Sequence, residues 1–519
     1  MHWSIELANQ VLKKYSNKDR YTIASGISPS GSVHIGNYRE FVTNYYVARA
    51  LQNMGKNVRM IFSWDEFDRF RKVPKNFPSH INYADSIGKP YTEVPSPYPN
   101  FKSSADFFEQ EFIRALEDLQ MNEIPVQMIF QSAEYRSGRY NKNIIEAVSK
   151  RKQIYDIINS FKSAKTDGEN KIKRDDYFPI TIYCGVCGRD NTKILCYDEK
   201  TNMLEYECAC GEKCKIDLKT ADNVKLVWKV DWPMRWREED VSFEAAGIDH
   251  HSKGGSFEVA TEIARKIFGI EPPCSVCYGF IGIKGAGDMH SSSGNNYTPA
   301  QLLHVYEPEL LRYLFAKYSP RDAFDFAFDD TIIRHYAEFD GGVTSTEDYI
   351  KTVYDLALFQ KTKMNRVGFG TLTTVAPIAG FNKELTLKIL TKTNVENLNN
   401  FHERFALAKY WLETFAPDKI YKPRTEFHQS YFDSLNDEQR QVLAKLKDYL
   451  QTLRTEKEIQ EFLYSIINDE SLTKKENQSR QQSYFKIFYN MLFGQDSGPR
   501  LYLYLASCDK NEFLHLLHP

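Results

Sequence analysis

At 519 residues, with 42% hydrophobic side chains, the chain is long enough to bury several cores, and its length fits two to four domains. A formal charge of −2 gives no global attraction to nucleic acid or to an anionic membrane, so any such partner must be met by a local basic face. The opening MHWSIELANQVLKKY lacks the apolar region and small-residue cleavage site of a secretion signal, and no stretch approaches the roughly 18 to 20 apolar residues of a membrane helix, so the expectation is a cytoplasmic protein with no membrane partner.

Tyr21 to Ser25 is a short β-prone run, followed by a small-residue turn from Gly26 to Ser32. Ile35, Phe41, Val42, Tyr45, Tyr46, Ala48, Leu51 and Met54 then recur at helical spacing until Gly55. Asn57 to Phe62 reads as a second strand, ending at SWDEFD, so the first 65 residues predict a βαβ unit of an open α/β sheet. In such sheets ligands sit beyond the carboxyl ends of the strands, where both SPSGSVHIGN and SWDEFD fall. The small residues of the first segment would let backbone N–H groups approach an anion, with the positive end of the helix that begins near His34 aimed at the same place. His34, beside Gly36 and Asn37, could donate to a phosphate oxygen as negative charge develops there.

Residues 72 to 100 form a Pro-rich irregular connection. An amphipathic helix around Ala105 to Leu119, an apolar strand at Val126 to Phe130 and EYRSGRY follow, read together as an insertion that ends in a cysteine cluster. Cys184-Gly-Val-Cys187 and Cys208-Ala-Cys210 are two thiolate pairs about twenty residues apart, the pattern of a closed structural zinc site, with Cys214 or Cys196 able to replace one ligand. The separate Cys274 and Cys277 have no second pair, and packing is their expected role.

From Lys225 the pattern reads as strand and loop again, through KLVWKVDWPMRW, FEAAGIDHHSKGGS and CYGFIGIKGAGDMHSSSGN. GAGDMHSSSGN, residues 285 to 295, is a loop of small and hydroxyl residues suited to closing over a polyphosphate. The last third is expected to be helical. Ser434 with Asp437 suggests a capping box ahead of Val442, Leu443, Leu446 and Leu450, and Thr455 with Glu458 suggests another.

Taken in order, MHW, GISPSGSVHIGNYRE, SWDEFDRFRKVP, EYRSGRY, WKVDWPMRW, FEAAGIDH and FYNMLFGQDSGPRL resemble the class I lysyl-tRNA synthetases along nearly the whole chain. The resemblance implies an α/β fold with a Rossmann-type parallel-sheet catalytic domain, split between residues 1–95 and 221–345. It further implies a zinc-bearing connective insertion at 96–220 and an all-α anticodon-binding domain at 346–519. The implied chemistry is ATP-dependent activation of L-lysine to lysyl-adenylate, with Mg²⁺ on the phosphates, and transfer to tRNA(Lys); the oligomeric state stays open.

By the same resemblance, His34, Asn37, Ser291 and Ser292 are the catalytic candidates, and Ser30, His34, Gly36, Asn37, Asp249, His250 and Met289 would contact ATP, Gly36 by keeping the helix start open. Gly26, Ser28, Asp65, Trp232 and Tyr278 would form the lysine pocket, with Asp65 meeting the ε-ammonium and Asp68 as its alternate. Asp65 has a competing reading as a helix N-cap, and Trp228, Trp232 and Trp236 have one as packing. The second signature of the family departs from pattern. Asp288-Met289-His290-Ser291-Ser292-Ser293-Gly294-Asn295 lacks both expected lysines, leaving Lys284, Lys253 or a protonated His290 to supply the cation. A weakly catalytic or regulatory tRNA-binding relative is therefore the alternative to a working ligase.

Overall fold

The structure is a computed structural model that describes residues 1–519 apart from 32–33, 75–76, 162–171, 280, 285–296, 359–365 and 393–397. The chain divides into two compact units. The first comprises Met1–Leu303, Pro308–Ala327 and Ser345–Gln360, and the second His304–Glu307, Phe328–Thr344 and Lys361–Pro519.

The first unit is built on a parallel sheet. β1 (Tyr21–Ile27) lies between β2 (Val58–Trp64) and β9 (Val241–Glu244), and β3 (Val126–Phe130) adds outside β2, giving the order β3-β2-β1-β9. β1 is buried along its first five residues, as expected of an inner parallel strand covered on both faces. The chain runs from β1 outward to β3 on one side and returns on the other side of β1 with β9, so the strand order reverses there and leaves a crevice above the carboxyl ends of β1 and β9. β10 (Ala246–Gly247) prolongs β9 and pairs with β11 (Cys277–Tyr278), while β12 (Ile281–Ile283) pairs with β13 (Phe324–Phe326); both pairs are parallel.

α1 (Trp3–Lys14) sets Trp3 against Tyr46 of α2 (Ile35–Asn53), the helix that connects β1 to β2. Nearly every side of α2 is buried, including Tyr38, Phe41, Val42, Tyr45 and Tyr46, so the helix has almost no polar face. α3 (Ser104–Asp118) covers β2 through Phe112, whose ring stacks on Phe62 at 4.7 Å. The insertion expected at residue 96 therefore starts later, because α3 and β3 complete the main sheet.

After β3 come α4 (Gln131–Arg136), α5 (Asn141–Ser149) and α6 (Arg151–Ser160), followed by two antiparallel pieces. One pairs β4 (Ile180–Ile182) with β8 (Val224–Leu226); the other orders β5 (Thr192–Asp198), β6 (Met203–Cys208) and β7 (Lys213–Asp217) in sequence. Tyr135, Ile144, Ile154, Leu204 and Tyr206 bury this segment together with Val259 and Ile263 of α8 (Ser256–Lys266).

KLVWKVDWPMRW is not strand and loop beyond its first residues: α7 spans Trp228–Glu238 with Pro233 inside it. The three tryptophans four residues apart carry a helical period, and burying that face outweighs the one hydrogen bond that Pro233 forfeits.

The second unit is helical. Asn436, not Ser434, caps the helix Asp437–Tyr449, with Gln439 reciprocating; asparagine is as good a cap as serine, and here it sits at the residue where the helix begins. Thr455 and Glu458 form the expected capping box, and Val442, Leu443, Leu446 and Leu450 are buried. Arg404, fully buried, is held by Glu307 at 2.8 Å and Asp340 at 2.7 Å. The helix Asp348–Ala357 belongs to the first unit, where Arg312 donates to the Ala357 and Leu119 carbonyls at 2.7 Å each, while Phe328–Thr344 belongs to the second, so the chain crosses between the units on both sides of the boundary expected at 346.

Candidate active site

The crevice holds a cavity of about 390 Å³. Ala24, Ile61, Ala246 and the tryptophans of α7 supply its apolar walls. Trp228 stacks on Trp232 with centroids 4.9 Å apart and planes 20° apart, making a flat indole surface on one side. Gly26, Ser28, Ser30, Asn37, Asp65, Trp232 and His250 all line this cavity, so the substrate candidates from the two ends of the chain meet there.

The charges on its walls divide unequally. Five carboxylates line the cavity, Glu40, Asp65, Asp68, Glu239 and Glu244, against the guanidinium groups of Arg71 and Arg235. Three of the five are already paired. Asp65 is bound by Arg235 at 2.5 Å, Asp68 by Lys225 at 3.0 Å, and Glu239 by Arg59 and Arg139 at 2.8 and 2.6 Å. Glu40 and Glu244 form no ion pair among the described residues. Glu40 accepts from the Gly26 N–H at 2.9 Å and from the Tyr278 hydroxyl at 2.8 Å, and Glu244 accepts from the Trp236 indole at 2.7 Å.

Burial pushes the Glu40 carboxyl up to about 8, although the bonds from Gly26 and Tyr278 pull the other way; the negative neighbours Glu244 and Asp65 add to the rise. Glu244 is pushed up to about 7, again by burial. Asp65 rises only to about 6, because Arg235 opposes the desolvation. A half-buried and a buried carboxyl with no ion pair among the described residues, beside an indole wall, suit a cation carried on an apolar stem.

Asp65, expected to meet the ε-ammonium or to cap a helix, lines the cavity but is already paired. Its charge is met by a guanidinium 170 residues along the chain, and no helix follows it that it could cap. Glu40 and Glu244 are the lining carboxyls left without an ion pair among the described residues. The readable signal for Glu40 was an acid on a helix that otherwise lacks a polar face; nothing local marks Glu244.

His34 caps α2, its Nδ1 accepting from Gly36 N–H at 3.1 Å while Asn37 Oδ1 accepts from the His34 N–H at 3.1 Å. A neutral imidazole so bonded carries its proton on Nε2. The helix start is less open than the sequence suggests, because Ile35 N–H is bound by the Tyr297 carbonyl and Asn37 N–H by the His34 carbonyl. Gly36 is glycine because the His34 ring lies against it: a β-carbon there would stand 2.8 Å from Nδ1. An anion at this end would meet the helix dipole and the side chains of His34, Asn37 and Ser30 more than free amides.

Asp249 is largely exposed, 3.8 Å from His250, whose ring stands edge-on to Trp232 at 5.5 Å. His34, Gly36, Asp249 and Tyr278 stand outside the cavity lining, Tyr278 reaching it through Glu40. Ser291, Ser292, Met289, Asp288 and His290 lie outside the described residues.

The thiols of Cys184, Cys187, Cys208 and Cys210 all lie within 4.8 Å of one another, with Cys184 to Cys210 at 3.8 Å and Cys187 to Cys208 at 3.6 Å. A zinc ion about 2.3 Å from four sulfurs requires sulfur–sulfur edges of about 3.8 Å, which these match. Each pair closes on a left-handed glycine, Gly188 at φ 70° and Gly211 at φ 95°, which a side chain would strain. Cys196 and Cys214 stand outside the cluster, on β5 and β7.

A parallel sheet with a histidine-capped helix after its first strand and a carboxylate-lined cavity at the reversal of strand order defines a protein of the Rossmann type. Residues 1–358 match the family of class I tRNA synthetases (K), and the chain belongs to that family. A lysine–tRNA ligase of Borreliella burgdorferi is 34% identical over 96% of this chain and 95% of its own. Those of Treponema pallidum and Pyrococcus horikoshii are 33% and 30% identical, covering 96% and 98% of this chain and 95% and 98% of theirs.

Proposed function

We propose that this chain is a lysine–tRNA ligase, acting in the cytoplasm, that activates L-lysine with ATP and transfers it to tRNA(Lys). The observation that carries the reading is the pair of carboxyls, half-buried Glu40 and buried Glu244, that form no ion pair among the described residues at an apolar slot lined with tryptophan. An uncharged amino acid would give these carboxyls nothing to ionise against, whereas lysine brings an ammonium on four methylenes. Trp228 and Trp232 would cover the methylenes, and Glu40, held by Gly26 and Tyr278, would receive the ε-ammonium.

In activation the lysine α-carboxylate oxygen attacks the α-phosphorus of ATP; the new P–O bond forms as the bond to pyrophosphate breaks. His34 Nε2–H and Asn37, at the positive end of α2, would donate to the α-phosphate oxygens as charge accumulates, a contribution of order 100-fold to 1000-fold. Mg²⁺ would neutralise the phosphates. A tRNA hydroxyl then attacks the aminoacyl carbonyl and AMP leaves. Incubating the protein with ATP, radiolabelled lysine and unmodified tRNA tests the reading: charged tRNA supports it, and tight tRNA binding without charging favours a regulatory relative.

The second signature lacks its lysines, so D288K/S293K is expected to raise lysine-dependent pyrophosphate exchange by about tenfold or more, since a cation aimed at the leaving phosphates acts mainly in the transition state. No gain would show that another residue already supplies that charge.

Zinc would be held by Cys184, Cys187, Cys208 and Cys210, where it would supply folding stability and no catalysis, a four-thiolate site having no open position. Purified protein should carry one zinc per chain. Cys208→Ser should lose it and lower the melting temperature by roughly 5 °C or more, read by metal analysis and calorimetry.

A further inference from the structure

The segment from Asp65 to Asp68, which lines the cavity, is gripped from outside by the subdomain that carries the four cysteines. Tyr183, next to Cys184, donates its buried hydroxyl to the Phe67 carbonyl at 2.7 Å, and their rings meet at 5.1 Å. Lys225 stands on β8, paired with Thr181 of β4 three residues before Cys184. Only 4% exposed, it binds Asp68 at 3.0 Å and Asp231 at 2.8 Å. Asp231 in turn accepts from Arg235 and from the Tyr135 hydroxyl, and Arg235 holds Asp65. Every link but Asp68, whose side chain is 31% exposed, is buried, and the chain of contacts starts beside β4 and on β8 and ends on two carboxylates facing the cavity. Lys225, Asp231, Tyr183 and Tyr135 do not line the cavity themselves.

We infer that Tyr183 and Lys225 are positioning residues for amino-acid binding: the cysteine subdomain uses them as a clamp that fixes Asp65 and Asp68 in the wall of the pocket. The inference rests on reading the cavity as the amino-acid pocket. The clamp reaches the carboxylate side of the cavity and not the helix start at His34, so it sets affinity for the amino acid and leaves ATP binding alone. Without Lys225, Asp68 and Asp231 would face each other and Asp65 across low-dielectric space with one cation, Arg235, between them, and Arg235 could no longer hold Asp65 in one place.

The test is titration of zinc-loaded wild type, Tyr183→Phe, Lys225→Met and Lys225→Arg with L-lysine and, separately, with ATP, zinc content being measured on each. Loss of the Tyr183 hydroxyl is expected to weaken lysine binding about threefold to tenfold. Loss of the Lys225 charge is expected to weaken it roughly 30-fold or more, with partial recovery in Lys225→Arg. ATP affinity should stay within about twofold and zinc should be retained. Should Lys225→Met fail to fold, Tyr183→Phe and Lys225→Arg decide. Lysine affinity unchanged in the variants, or lysine and ATP affinities falling in parallel, overturns the clamp. Wild type that binds ATP but no lysine overturns the reading of the pocket, and the clamp with it.

Discussion

Glu40→Gln is expected to lower kcat/KM for lysine in ATP–pyrophosphate exchange by roughly 100-fold to 1000-fold, while the KM for ATP changes less than about threefold. The substitution keeps the shape of the side chain and an oxygen for Gly26 N–H, removes the charge, and leaves the amide NH2 to donate to the Tyr278 hydroxyl where a carboxylate oxygen accepted from it. A substrate ammonium would then be buried against a neutral amide, and breaking a buried ion pair by neutralising one partner costs about 3–5 kcal/mol, which sets the expected range. Glu244, about 9% exposed and held by the Trp236 indole at 2.7 Å, stays in place in this variant and meets only part of the lost charge. A loss under threefold would mean that the ammonium is read elsewhere.

Lysine affinity should climb steeply with pH. Burial holds the Glu40 carboxyl near 8 and Glu244 near 7 in the ligand-free protein, against an ordinary value of 4.5. Both groups are thus largely or partly protonated at neutral pH and must lose that proton to meet an ammonium. For Glu40 alone, the ionised fraction, and with it the affinity for lysine, rises roughly 50-fold between pH 6 and pH 8. The sign for stability is opposite. Between 4.5 and the raised values the native state binds more protons than the unfolded chain, so the stability these groups contribute is present below 4.5 and is lost as pH rises through about 7 to 8. Saturating lysine should offset that loss. Binding titrations from pH 6 to 8.5 read the first effect, and a flat profile would contradict it; melting curves with and without lysine read the second.

Much of this was legible in the sequence, and for physical reasons. The βαβ start could be read because the α2 period and the flanking β-prone runs are local, and the cysteine set because metal ligands come as short-range pairs. The wall of the pocket was less legible. Asp65 invites assignment to the ammonium, yet its partner Arg235 is a tertiary fact, and so is the lack of an ion pair at Glu40 and Glu244 among the described residues. Charge compensation is a property of the folded cavity and leaves no spacing in the chain. α7 departs from the strand-and-loop reading because the tryptophan spacing across it is helical, with Pro233 inside the helix. The sheet edge at β3 was given to the insertion because a five-residue strand, split from its neighbours by a Pro-rich connection, carries no sign of which sheet it joins.

The central claim is that Glu40 receives the lysine ammonium with Glu244 beside it, neither carboxyl having an ion pair among the described residues. Calorimetric titration of the protein with L-lysine at pH 7, in two buffers of different ionisation enthalpy, tests it most directly. Binding should release roughly one to one and a half protons per lysine from Glu40 and Glu244 together, falling by nearly one in Glu40→Gln. Lysine binding with no proton release, or the same release in Glu40→Gln, would contradict it.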